Sequence, residues 1–244
     1  MRLLQCDNGK FSLTKDLNRD IPKYAILSHT WGPDEEEVTY RDIVDGTGVG
    51  NVGYEKLRFC AKQSARDGLR YFWIDTCCID KSNNTELQEA INSMFRWYQN
   101  AARCYVYLTD ATAAATSRRI EVADPIWESE FRNSRWFTRG WTLQELLAPA
   151  SVEFFTRDGL WLGDKRSLNQ QIHEITGIAV PALRGAALSE FDDEERFRWA
   201  EGRQTTREED GVYCLLGIFG VHMSLIYGEQ RPNALRRLKE AIEK

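Results

Sequence analysis

Histidine is scarce. His29, His173 and His222 are the three in the chain, too far apart in sequence to suggest a metal site. The six cysteines, Cys6, Cys60, Cys77, Cys78, Cys104 and Cys214, include no C-x-x-C pair. No histidine lies at ligand spacing from any of them, so they read as buried thiols in a reducing compartment. No G-x-S-x-G elbow occurs, which sets a serine hydrolase aside. No basic stripe interrupts the interspersed charges of a chain with net charge -5, so nucleic acid is not an expected partner. The start lacks a charged-then-apolar leader. The longest apolar run, residues 212–227, is short for a membrane span and is broken by Gly217, Gly220 and His222. Internal repeats and low-complexity segments are also missing. These absences leave a soluble, cytoplasmic globular protein as the expectation.

What is abundant is apolar and aromatic. At 42% hydrophobic residues over 244, the chain can bury a large core, and eight tryptophans supply packing surface or stacking platforms. Residues 1–20 read as a short arm with one strand at 11–13. Tyr24 to Leu27 is an unalternating apolar run, as in a strand buried on both faces, and it ends in Ser28, His29, Thr30, Trp31 and Gly32. Residues 54–67 carry a helical stripe stopped by Gly68. Residues 69–75 form a second strand, followed by Thr76, Cys77 and the pair Asp80 and Lys81. Thr85 to Gln88 reads as a capping box for a helix whose core face is Leu87, Ala90, Ile91, Met94, Phe95 and Tyr98. Residues 103–108 and 151–156 are third and fourth strands, with a loop of small residues after Asp110.

Strand and helix thus alternate over residues 24–156, which predicts a parallel sheet with helices on its faces. Ligands of such sheets bind at the carboxyl ends of the strands, where strand order reverses. Beyond Gly159 helices dominate, including a capping box at 206–209 and a final amphipathic helix bearing Leu235, Leu238 and Ile242.

The segment 134–147 reads as one helix. Trp136, Gly140, Leu143 and Leu147 form its core stripe, and Gly140 admits a second backbone. Trp141 and Glu145 sit four apart on the other side. There Glu145 is either a working carboxylate in a small polar-tipped pocket or a solvated side chain beside a packed indole.

Three segments together resemble the fungal heterokaryon incompatibility (HET) domain: Tyr24 to Gly32, Phe72 to Asp80 with residues 84–98, and Arg135 to Glu145. Asp210 to Phe219 is similar to that family's closing segment. The resemblance implies a cell-death effector in fungal non-self recognition, often fused to nucleotide-binding receptor domains. More distantly, Trp141-Thr-Leu-Gln-Glu-Leu146 is similar to the helix of Toll/interleukin-receptor (TIR) domains that carries the catalytic Glu of NAD-cleaving members. Thr142 stands where that pattern has Cys.

On this likeness the fold expectation is a TIR-like (flavodoxin-like) α/β core over 1–158 with a mainly helical extension, 159–244, of the same domain. Glu145 takes the catalytic position. Ser28, His29, Thr30, Trp31, Asp75, Cys77, Lys81, Arg139 and Trp141 become candidate substrate-binding residues. NAD is the implied substrate, with no metal and no further cofactor, and self-association is the implied trigger. The competing expectation is an interaction module that recruits partners without chemistry.

Overall fold

The structure, a computed structural model, describes residues 1–112 and 125–244. Seven strands form one sheet: β1 (Leu4–Asp7), β2 (Lys10–Leu13), β3 (Tyr24–His29), β4 (Tyr71–Trp73), β5 (Arg103–Leu108), β6 (Val152–Thr156) and β7 (Trp161–Asp164). Their spatial order is β2-β1-β4-β3-β5-β6-β7. The four central strands run parallel. The sheet as a whole is mixed, which corrects the all-parallel expectation, because β1–β2 and β7 add antiparallel edges.

β3 is buried along its whole length. Its side chains alternate between two helical layers. Tyr24 donates to the Trp97 carbonyl at 2.6 Å and Ser28 meets Glu145, so that face looks at the helices Asn84–Asn100 and Thr142–Leu147. On the other face Tyr105 and Tyr107 of β5 pack their rings on Phe59 of the helix Tyr54–Arg66. From β3 the chain steps to β4 on one side and then to β5 on the other. Strand order therefore reverses beside β3, and a crevice forms at such a reversal because the following loops diverge.

Several local expectations are corrected. Residues 1–20 hold a hairpin rather than one strand. Asn8 and Gly9 turn it with φ 51° and 80°, the paired positive angles of a two-residue hairpin loop. The sheet continues past residue 158 through β7, at the start of what was expected to be a mainly helical extension. The box at 85–88 does not form; Asn83 caps instead, accepting from the Thr85 and Glu86 amides. Residues 206–209 are turn, and Glu209 accepts the amides of Gly228 and Gln230. The small-residue loop after Asp110 falls mostly outside the described residues.

The largest correction concerns 134–147, which is not one helix. Arg135–Thr138 is a 3-10 turn, Arg139 is extended, and an α-helix runs only over Thr142–Leu147. The break has a tertiary cause. Arg139 bridges Gln204, whose carbonyl takes the Gly140 amide at 2.9 Å, while the Gln204 amide bonds the Thr138 carbonyl. Gly140 is required there, since a Cβ would stand 2.5 Å from the Thr205 methyl. The close approach read from Gly140 is thus real, with residues 204 and 205 as the partner.

Candidate functional site: a carboxylate in a crevice beside the central strand

The helix Thr142–Leu147 is buried on every side, Glu145 included. Both its ends are held by cations bonded to backbone. Arg203 donates to the Arg139 carbonyl at 2.9 Å and to Thr142 Oγ1 at 3.1 Å. Burial draws its guanidinium down to about 10, against the pull of Cys214 and Glu145. At the other end Lys165 donates to the carbonyls of Leu146 (3.0 Å) and Pro149 (2.7 Å), where a helix presents unpaired acceptors. Burial brings that ammonium down to about 8.

Glu145 so fixed accepts a hydrogen bond from Ser28 Oγ, and Ser28 in turn accepts the Trp136 indole N–H at 2.8 Å. Burial pushes the Glu145 carboxyl up to about 8. The Ser28 hydrogen bond and the Arg139 charge pull it back, while Asp75 adds to the rise. The cause is desolvation of the charged form, which favours the protonated carboxyl.

Asp75 is the opposite case. Burial alone would raise it, but Lys81 and His29 outweigh burial and hold it well below the ordinary carboxylate range. His29 Nε2 lies 3.2 Å from Asp75 Oδ1, and Lys81 Nζ lies 3.4 Å from Oδ2. Two carboxylates of one crevice therefore rest in different protonation states, a pattern found where acid–base roles are divided. Lys81 also sits 3.6 Å above the centre of the Trp31 ring. That indole is 41% exposed, as befits a stacking platform rather than a core residue.

These groups line one cavity of about 410 Å³. His29, Trp31, Asp75, Lys81, Arg139, Trp141 and Glu145 all face it. Ile79, Leu87, Ile91 and Met94 give it an apolar wall. Three candidates stand elsewhere. Ser28 lies outside the cavity lining and hydrogen-bonds Glu145. Thr30 bonds Thr109 at 3.0 Å and hands its carbonyl to Lys56. Cys77 is turned inward by the short helix Asp75–Cys78; its thiol donates to the Val38 carbonyl, and burial pushes it well above the ordinary range. As a binding residue Cys77 is thus corrected to a core thiol, and Thr30 to a loop anchor.

The sequence reading missed the remaining wall. Thr206, Arg207, Asp210 and Tyr227 come from the C-terminal part and also line the cavity. Among the described residues no three His, Cys, Asp or Glu side chains converge as a metal site would need, and no helix is long and apolar enough to cross a membrane.

Residues 24–130 match the family described as Heterokaryon incompatibility protein (HET). All of the chain aligns, at 59% identity over 246 residues, with the Vegetative incompatibility protein HET-E-1 of Podospora anserina. The chain spans 18% of that relative's length. No solved structure matches.

Proposed function

The chain belongs to the heterokaryon incompatibility family, and from that premise we propose that it is a cell-death effector domain that hydrolyses the nicotinamide–ribose bond of NAD on self-association. The observation that carries the reaction is Glu145, a desolvated carboxyl facing a cavity of nucleotide size with indoles and cations around it. The parallel strands, numbered among themselves in chain order, run 2-1-3-4, the order with which flavodoxin-like sheets begin; this supports the TIR-like reading of the core. The relative's greater length fits a chain fused to further domains.

The chemistry suits the residues. The bond from ribose C1′ to the pyridinium nitrogen breaks, and its electron pair goes to the ring, which leaves as neutral nicotinamide. No acid is needed for that departure. Positive charge develops on the sugar, and an ionised Glu145 stabilises it. Entry of the cationic ring lowers the Glu145 pKa and brings the carboxylate into being where it is used. Water then attacks C1′, and Glu145 accepts its proton and returns it to solvent. Trp31 and Trp141 offer faces to the rings, and Lys81 and Arg139 offer charge to the phosphates.

A recruiting module without chemistry is the second reading. Its support is the segment between Tyr40 and Tyr54, the helix Tyr40–Asp45 and the loop after it, whose Val44, Val49 and Val52 are all exposed. Concentrated domain incubated with NAD distinguishes the two. Free nicotinamide and ADP-ribose are expected in equal amounts by chromatography, at a rate that rises more than linearly with protein concentration. NAD left intact at the highest concentration reached would leave the recruiting module.

A further inference from the structure

A second cavity, of about 670 Å³, lies at the other end of the Glu145 helix and shares no lining residue with the first. Phe95, Leu147, Leu183, Leu188, Ile218 and Phe219 give it an apolar lining. Part of that lining is tightly built: at Gly217 a Cβ would stand 2.1 Å from the Phe95 Cβ, so the backbone rests directly on that side chain. Its charge is one-sided. Lys165, Arg166, Arg184 and Arg196 line it, and among the described residues no Asp or Glu does, in a chain of net charge -5. Arg196 has partners: it reaches Asp193 at 2.5 Å and the Ile218 carbonyl at 3.1 Å, and it lies over the Phe219 ring. Lys165, Arg166 and Arg184 enter no ion pair among the described residues. Lys165 is only 4% exposed. Two of its three N–H groups hold the Leu146 and Pro149 carbonyls, which are neutral. A buried ammonium ordinarily has an opposite charge beside it, and here no carboxylate of the described chain supplies one.

We propose that this groove binds a small amphiphilic acid, whose carboxylate or phosphate head supplies the counter-charge of Lys165, Arg166 and Arg184 and whose apolar body covers Phe95, Leu188 and Phe219. The volume is that of a site for a small organic ligand. An inorganic anion would leave the apolar lining wet, and a neutral hydrocarbon would leave the cations unpaired. Only a ligand with both parts answers both. Burial has already weakened the hold of Lys165 on its proton, and an anion beside it reverses that. Because the same ammonium holds the last carbonyls of the Glu145 helix, an occupied groove also stabilises the domain. None of this depends on the nucleotide reading of the first cavity.

The test titrates the chain with decanoate, decyl phosphate and decanol, each below its micelle concentration, by calorimetry and in an assigned amide NMR spectrum. The better of the two acids is expected to bind at least about tenfold tighter than decanol, the worth of one charge-assisted hydrogen bond. It is expected to move the amide resonances of Gly185 and Gly220, which line the groove. Decanoate as the tighter probe assigns a carboxylate head, and decyl phosphate as the tighter assigns a phosphate. Lys165→Met is expected to weaken the acid about tenfold or more. Arg166→Gln with Arg184→Gln alters two exposed side chains, so the fold stays intact, and an expected weakening of about fivefold decides the matter if the Lys165 variant does not fold. Decanol bound as tightly as both acids overturns the proposal, as does an arginine double variant that binds like the parent. Binding that leaves Gly185 and Gly220 unmoved, or no binding of either acid at millimolar concentration, overturns it too. Groove resonances that shift with protein concentration alone would give the surface to a second copy of the chain and likewise overturn it.

Discussion

Glu145→Gln is expected to lower nicotinamide release by at least about 10²-fold with the fold intact. The amide has nearly the shape of the acid and keeps an oxygen for the Ser28 hydroxyl. Because burial favours the protonated form of Glu145, the exchange replaces one neutral group by another. Stability should therefore change by less than about 1 kcal/mol, and a denaturation curve of the variant serves as its own control. What the amide cannot do is ionise. It neither balances the charge that builds on the ribose nor accepts the proton of water. Toxicity in cells should fall with the rate. A folded variant that kills as fast as the parent would assign death to recruitment.

Lys56→Met is expected to destabilise the domain by about 3–5 kcal/mol. Lys56 and Glu37 form an ion pair whose side chains are 9% and 8% exposed. Lys56 Nζ also donates to the Thr30 carbonyl at 3.1 Å, and Glu37 accepts the Gly32 amide at 2.6 Å. The pair thus ties down both sides of Trp31, the platform that the loop presents to the cavity. Methionine fills the space of the aliphatic stem but leaves the Glu37 carboxylate buried without its counter-charge, and that uncompensated charge is the main cost. The double variant Lys56→Met with Glu37→Gln should regain most of the loss, since a buried pair replaced by neutral groups is often close to neutral overall. Urea denaturation of the four proteins of this cycle gives the coupling. A single variant within 1 kcal/mol of the parent would mean that the pair is solvated.

The elements visible in sequence are those whose cause is local. The strand at 103–108 is recognisable as an apolar run, and the helix at 84–100 shows its stripe of Ala90, Ile91, Met94 and Tyr98. The Asn8-Gly9 pair was an equally local signal for the N-terminal hairpin, but the mixed residues around it masked the alternation. The break before Thr142 has no such signal. It is imposed by Gln204, and nothing in the spacing of Trp136, Gly140 and Leu143 records a partner so distant in the chain. The burial of Glu145 was hidden for a related reason: periodicity assigns one face of a helix to water, but a six-residue helix wedged between β3, the helix Asn84–Asn100 and the C-terminal segment has no such face. Cys77 was placed in the crevice because it follows a strand end, and the single turn Asp75–Cys78 carries it under the loop instead. Asp210 and Tyr227 join the site through folding of the C-terminal part, which sequence pattern does not locate.

Whether the Glu145 carboxyl is dry and faces the cavity is read directly by the NMR titration of its carboxyl carbon, identified by its loss in Glu145→Gln. A midpoint near 8 is expected for the empty domain, shifting down when a cationic ring occupies the cavity. Linkage carries the same sign: with the folded value raised above the ordinary 4.5, Glu145 favours the fold most at low pH, and its contribution is lost as pH rises from there to about 8. A midpoint near 4.5, unmoved by NAD, would put the carboxylate in water and contradict the site.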